Sequence, residues 1–254
     1  MTEVEHILRR MKDSLCPSVS VGGMLARNPT AHKWKATYRS LVLRETVFWR
    51  THDLLTQAHL LYEAGHILGS RILIRSALES VAILIYLNQL TARVLKGTLD
   101  FQSFEDMTRR LLLGSRDGST KHSSINIVTV LEHCETRYDG LTQAYATLSE
   151  CAHPNYEGVC FGYSDVDPER HETHFSNKWE AMWGDKHESL VKLVSAVFET
   201  EYNDVWAPQL EALEAWPWNM MRTSNSPRAK ASNHAMDSDA RKRCALPGAR
   251  DRGR

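Results

Sequence analysis

The sequence is poor in the features that announce a chemistry. Cysteine is scarce and odd in number: Cys16, Cys134, Cys151, Cys160 and Cys244 are the only five, with no C-x-x-C pair. That argues against a disulfide framework or a cysteine-rich zinc site and fits a reducing compartment. No glycine-rich phosphate loop is present, because Gly22-Gly23 lacks both the spacing and the helix signal such a loop needs. No G-x-S-x-G nucleophile elbow occurs. No internal repeat is visible. The most apolar stretch, Ile72 to Leu87, holds Arg75 and Glu79. It is too short and too charged for a membrane span and reads as a buried helix. The first residues do not resemble a signal peptide, since Glu3, Glu5, Arg9, Arg10 and Lys12 leave no apolar run. The expectation is a cytoplasmic protein without a membrane partner.

Net charge is also lacking, with 31 Lys and Arg against 31 Asp and Glu. The balance is uneven, however. Arg222 to Arg254 holds nine basic residues against three acidic ones, which leaves the remainder net acidic. An acidic body does not suggest a general nucleic-acid-binding surface. The basic tail, with Arg241-Lys242-Arg243 and Arg250, Arg252 and Arg254, either neutralises phosphates or merely solubilises the chain. Few apolar residues follow Pro217, so the tail from about residue 222 is expected to be disordered.

What the sequence does have is helical periodicity. The fold class it predicts is mainly α, a helical bundle with a small β-hairpin inserted near residues 159–175. Residues 1–30 read as a short amphipathic helix and a loop, and 31–221 as the bundle domain. Tyr38, Leu41, Val42, Phe48, Trp49, Leu55 and Leu60 mark one face of a long helix that Gly65 interrupts. A second long helix runs over 66–95. Ser103 with Asp106 resembles a capping arrangement for a helix ending near Leu113. A polar, Gly/Ser-rich loop over 114–124 precedes helices at 125–138 and 141–152. Val159 to Tyr163 reads as a strand, Asp165 to Pro168 as a turn and His171 to Phe175 as the returning strand. Helix then resumes over 177–213.

The helix at 66–95 is apolar nearly all round, so it belongs at the centre of the bundle. Arg71, Arg75 and Glu79 fall at i, i+4 and i+8, a polar stripe on a buried element, and must find partners. Arg75 and Glu79 can pair with each other, although Arg before Glu is the weaker order. Glu150 is a second candidate partner. It lies in the last turn of its helix, where the macrodipole disfavours a carboxylate. His153 lies at the same end, and Pro154 stops the helix there. The expected site is one cluster of Arg75, Glu79, Glu150, His153 and Tyr156.

Glu150-x-x-His153, Glu63-x-x-His66 and Glu3-x-x-His6 share the i, i+3 spacing of di-iron carboxylate bundles. The arrangement is wrong for such a site. Gly65 crosses one pair, and Glu63 lies too close in sequence to Glu79 to come from a separate helix. His171 and His174, with Glu169 and Glu172, read as solvated residues of an exposed turn. No metal or other cofactor is expected. Trp206, Trp216 and Trp218 form an aromatic edge that either receives a partner protein or packs the final helix onto the bundle.

The stretch ILIRSALESVAILIYL, followed by a helix ending in LSECAHPNY, resembles HEPN-like bacterial proteins of the branch with a Ser-Glu-x-x-His-Pro helix ending. The resemblance covers roughly residues 36 to 175. It implies a helical bundle, often a homodimer, that cleaves RNA or binds a nucleotide in phage defence or stress response. One departure matters. Active ribonucleases of that family carry an Arg four to six intervening residues before the His. Here those positions are Leu148, Thr147 and Ala146. Formal Arg–His matches (Arg27–His32, Arg116–His122, Arg228–His234) fall in loop-like or tail sequence. A rearranged site would use Arg75 as the electrostatic stabiliser and His153 as acid/base. The alternative is a non-catalytic helical interaction module whose polar cluster is structural. Catalysis requires the cluster to open to solvent; a structural role requires it to be closed.

Overall fold

The computed structural model describes residues 1–27 and 35–224, with side chains throughout except at residues 25, 27 and 217–224. Helix α1 (Glu3–Asp13) starts at a reciprocal cap. The Thr2 hydroxyl accepts from the Glu5 N–H, and the Glu5 carboxylate accepts from the Thr2 N–H. Helices α2 (Val21–Arg27), α3 (Lys35–Glu63) and α4 (Ile67–Leu95) follow, α3 and α4 being joined through Gly65 at φ 76°. Helices α5 (Phe101–Leu113), α6 (Ile127–Glu135) and α7 (Leu141–Ala152) come next. A π-helical turn (Tyr156–Phe161) leads into β1 (Ser164–Asp167) and β2 (Glu172–Phe175), and then α8 (Trp179–Trp183) and a 3-10 turn (Gly184–Lys186). Helix α9 (His187–Glu199), a π-helical turn (Thr200–Val205) and α10 (Trp206–Ser224) run on without a break.

The fold is a mainly α-helical bundle with one antiparallel hairpin, in the register Ser164 to Phe175 through Asp167 to Glu172. Helix α4 is its axis and packs against α3, α5, α6, α7, α8, α9 and α10. Ile74, Ala77, Val81, Leu84, Ile85 and Leu87 are each fully buried, as an all-round apolar helix requires. Helix α1 belongs to the same core through Val4, Leu8 and Met11, packing on α3 and α9. No helix among the described residues is long and apolar enough to cross a membrane.

Three local expectations are corrected. The cap of α5 is Asp100, whose carboxylate accepts from the Ser103 N–H at 2.8 Å, not Ser103 with Asp106. Val159 to Tyr163 is not a strand. Asn155 Oδ1 accepts from the Gly158 N–H at 3.0 Å and starts a helical turn there. A Cβ on Gly158 would stand 2.1 Å from the His153 carbonyl oxygen, so only glycine allows the chain to fold back so closely. The hairpin therefore begins later, at Ser164. Finally, helix continues past Pro217 to Ser224. Leu213 is buried and the Trp216 ring stacks on Phe101 at 5.2 Å, holding this length against the bundle although Pro217 lacks an N–H.

The tail from residue 225 onward, expected to be disordered, lies outside the described residues. The π-helical turn before α10 has a local cause. The Trp206 N–H reaches back to the Glu201 carbonyl, and this wider turn accommodates Pro208 just downstream. Glu201 itself is fully buried there, bonded by Asn88 Nδ2 (2.7 Å), Tyr138 Oη (2.8 Å) and Arg137 Nε (2.8 Å).

Candidate functional site

Helix α4 presents Arg71, Arg75 and Glu79 on successive turns, and Arg71 and Arg75 meet α7 through different side chains. Arg75 is held on several sides. Its Nε donates to Ser149 Oγ at 2.8 Å, its Nη2 donates to Tyr145 Oη and pairs with Glu79 Oε1 at 3.2 Å. Tyr145 Oη in turn donates to Glu79 Oε1 at 2.9 Å, and the guanidinium lies 4.7 Å from the Tyr145 ring centre. Burial, then the Glu79 carboxylate, push the Tyr145 hydroxyl pKa upward, so it stays a proton donor. Tyr145 and Ser149 stand at i and i+4 on α7, which is why one arginine reaches both.

The rest of the expected cluster is elsewhere. Glu150 is exposed and accepts from Asn155 Nδ2, so its partner is not an arginine but the asparagine that caps the next turn. His153 is exposed, with extended backbone at φ −91°, ψ 147°. Pro154 is the cause, because its ring disfavours helical backbone in the residue before it. The chain therefore leaves the bundle at the very residue that was expected to face Arg75. Tyr156 is 72% exposed and stacks on Phe161, and Lys178 Nζ lies 4.8 Å from the Phe161 ring centre. No hydrogen bond or ion pair among the described residues joins Arg75 or Glu79 to Glu150, His153 or Tyr156. The five-residue cluster is thus two groups: a paired knot at Arg75–Glu79 and a separate rim carrying Glu150, His153 and Tyr156.

Arg71, one turn earlier, is only 3% exposed. Its Nε donates to Cys151 Sγ at 3.1 Å and its guanidinium lies 4.0 Å from the Trp183 ring centre. Cys151 Sγ donates onward to Glu157 Oε1 at 3.3 Å. Burial pushes the Cys151 thiol pKa up, opposed by the adjacent Arg71, so the sulfur stays protonated at neutral pH.

A third polar group escaped the sequence reading. His59 of α3 and His187 at the start of α9 are 7% and 4% exposed. His187 Nδ1 is 3.0 Å from Ser70 Oγ, and its Nε2 is 3.3 Å from His59 Nδ1. Tyr62 stacks on His187 with ring centres 3.9 Å apart. Two proton arrangements satisfy this chain: Ser70 to His187 to His59, or the reverse direction throughout. Both keep His187 neutral; a protonated ring would donate to both neighbours, but its burial opposes the charge. Burial, and then the neighbouring His59, bring its pKa down to about 4. The serine, base and second histidine have the order of a nucleophilic relay. Ser70 is only 1% exposed, however, so no substrate reaches it and the array ties α3, α4 and α9 together.

Of the tryptophan edge, Trp206 is 5% exposed, its ring lying 4.1 Å from the Arg44 guanidinium, and Trp216 stacks on Phe101. Both pack the final helix onto the bundle; the Trp218 side chain lies outside the described residues. Arg116 and His122 occupy the loop after α5, while His32, Arg228 and His234 lie outside the described residues. Among the described residues no group of three or more His, Cys, Asp or Glu is placed to hold a metal ion. Comparison with protein-family models, characterised proteins and solved structures returns no match for the chain.

Proposed function

We propose that this protein is a helical module that acts by binding, with the Arg75–Glu79 knot as an internal strut rather than a catalytic centre. The observation that carries this reading is the commitment of Arg75. Its donors go to Ser149, Tyr145 and Glu79, and none reaches His153. A ribonuclease built on these residues needs the cation and the imidazole around one phosphate. Purified protein should leave RNA intact, with or without chelator, and Glu79→Ala should lower the melting temperature well below that of His153→Ala. Cleavage lost in His153→Ala, with folding retained, would overturn the reading.

A second reading keeps the HEPN-like expectation, with RNA or a nucleotide as partner and a homodimer as the working form. The exposed Tyr156–Phe161 stack with Lys178 beside it and His153 three residues upstream supports it. Exposed aromatic faces next to a cation suit unpaired bases. A single-stranded oligonucleotide whose binding falls in Tyr156→Ala and in high salt would move the weight to this reading.

A further inference from the structure

We infer that the cavity closed at its base by Arg71 is a binding site for a small aliphatic carboxylate. The inference does not depend on the function proposed above, since the cavity uses none of Arg75, Glu79 or His153.

The argument begins with an unbalanced charge. Arg71 is buried between α4, α7 and α8, and arginine cannot relieve burial by releasing its proton. A buried guanidinium is tolerated only when paired and hydrogen-bonded. Yet no carboxylate among the described residues lies within ion-pair distance of Arg71. Glu157 is near, but it accepts from the Cys151 thiol instead. The thiol takes one donor, Nε, and Trp183 covers one face. The two terminal nitrogens have no hydrogen-bond partner among the described residues and are not sealed by protein. Arg71 lines a cavity of about 280 Å3 between α7 and α9, the space left for a partner to those nitrogens.

The cavity defines the rest of the ligand. Arg71 and Leu148 are buried at its base, while Lys186, Ser189 and Leu193 are exposed at its mouth. Between them the walls are largely apolar, with Ala144 and Leu190 from facing helices. A planar pair of guanidinium nitrogens matches a planar pair of oxygens in a two-bond fork. Lys186 already pairs with Asp185 at 2.8 Å, so the cavity offers one uncompensated positive charge, which matches a monoanion better than a phosphate dianion. An apolar lining with a single charged group at the base selects a hydrocarbon body with a carboxylate at its end. The volume lies at the small end for ligand sites, which limits the body to a medium-length chain.

Octanoate and its neutral counterpart octanamide are the probes, titrated calorimetrically into the full chain beside melting curves. Octanoate should bind at one site and raise the melting temperature. Octanamide should bind about tenfold more weakly or worse, because only the anion completes a charge-assisted pair. Arg71→Met should erase the preference for the anion. Ala144→Leu, which leaves Arg71 in place and fills the cavity from its wall, should weaken both probes. Should Arg71→Met fail to fold, Ala144→Leu and the octanoate/octanamide ratio in the natural chain still decide. Equal affinity for the two probes, unchanged octanoate binding in a folded variant of either kind, or no saturable binding at all would each overturn the site.

Discussion

Arg71 and Arg75 stand one turn apart on the same buried helix, and their surroundings are opposite. Arg75 keeps 22% of its side chain exposed and is nevertheless surrounded by acceptors: a carboxylate, a hydroxyl and a phenol. Arg71 is almost fully buried and meets a thiol and an indole face. The more sheltered cation is thus the less neutralised one. Burial cost falls as partners are supplied, so Arg75 is the stable arrangement and Arg71 the costly one. The contrast teaches that a charged residue on a core helix is informative through what remains unsatisfied, not through its charge. Arg75 accounts for itself within the fold, whereas Arg71 does not.

The largest expected effect extends this contrast to the histidines and needs only pH. Burial, and then the neighbouring His59, hold His187 as a neutral ring, with a folded pKa of about 4 against 6.5 when free. Between those values the unfolded chain binds a proton that the folded chain refuses, so stability is full above about pH 6.5 and falls as pH drops toward 4. The loss attributable to this ring is about 3 kcal/mol. Other groups titrate in the same window, so the readout is the difference between the natural chain and His187→Gln in urea unfolding across pH. The variant should show the flatter profile; parallel profiles would mean that His187 charges freely inside the bundle.

The next effect tests the Arg75 side directly. Glu79→Ala removes the acceptor shared by Arg75 and Tyr145. Hydrogen bonds to charged groups are worth more than neutral ones, and partial exposure reduces the penalty, giving a loss of about 1–2 kcal/mol. A lower urea midpoint with an unchanged slope is the expected signature. A midpoint that does not move would mean that solvent replaces the carboxylate without cost and that the knot is ornamental.

How much of this contrast was legible in the sequence can be judged residue by residue. The stripe Arg71, Arg75, Glu79 was readable because helical spacing places such residues on one face, and Ile67–Leu95 matches the expected helix nearly end to end. Pairing of Arg75 with Glu79 was among the sequence alternatives. Tyr145 and Ser149 were not, although their i, i+4 spacing on the next packed helix was a usable signal. Glu150 and His153 were misplaced because the pre-proline effect was read as ending a helix but not as turning His153 outward. The hairpin was displaced by one side chain, since Asn155 capping Gly158 outcompeted the strand propensity of Val159 to Tyr163. The histidine array had no local signature: His59 and His187 lie 128 positions apart, and His187 sits in the charged run Asp185-Lys186-His187-Glu188. Its one clue was His59 recurring with Leu55 and Ala58 on the inward face of α3.

The third effect is smaller and opposite in sign. Arg71→Met exchanges an unneutralised buried cation for an apolar side chain of similar length. Replacing poorly paired buried charge by apolar atoms is commonly neutral or stabilising, so the ligand-free protein should gain between about 0 and 1 kcal/mol. The comparison with Glu79→Ala is the test: one variant on this face of α4 should lower the melting temperature and the other should not. If Arg71→Met is the more damaging of the two, the thiol and indole satisfy the guanidinium better than a carboxylate would, and the asymmetry between the arginines collapses.

The smallest expected effect is at His153. Its side chain is exposed and makes no hydrogen bond or ion pair among the described residues, so His153→Ala should change stability by less than about 0.5 kcal/mol. The backbone there is extended and its carbonyl accepts from the Asn155 N–H at 2.8 Å, neither of which depends on the imidazole. A null result in unfolding is therefore what the geometry requires, and it makes the variant a clean probe of binding. Pro154→Ala is the informative companion. Removing the ring frees His153 to continue α7, which would carry the imidazole from the rim back toward the helix surface. If Pro154→Ala perturbs the turn around Gly158 while His153→Ala does not, the polar ending of α7 is there for chain direction, with the histidine left free to meet whatever the rim encounters.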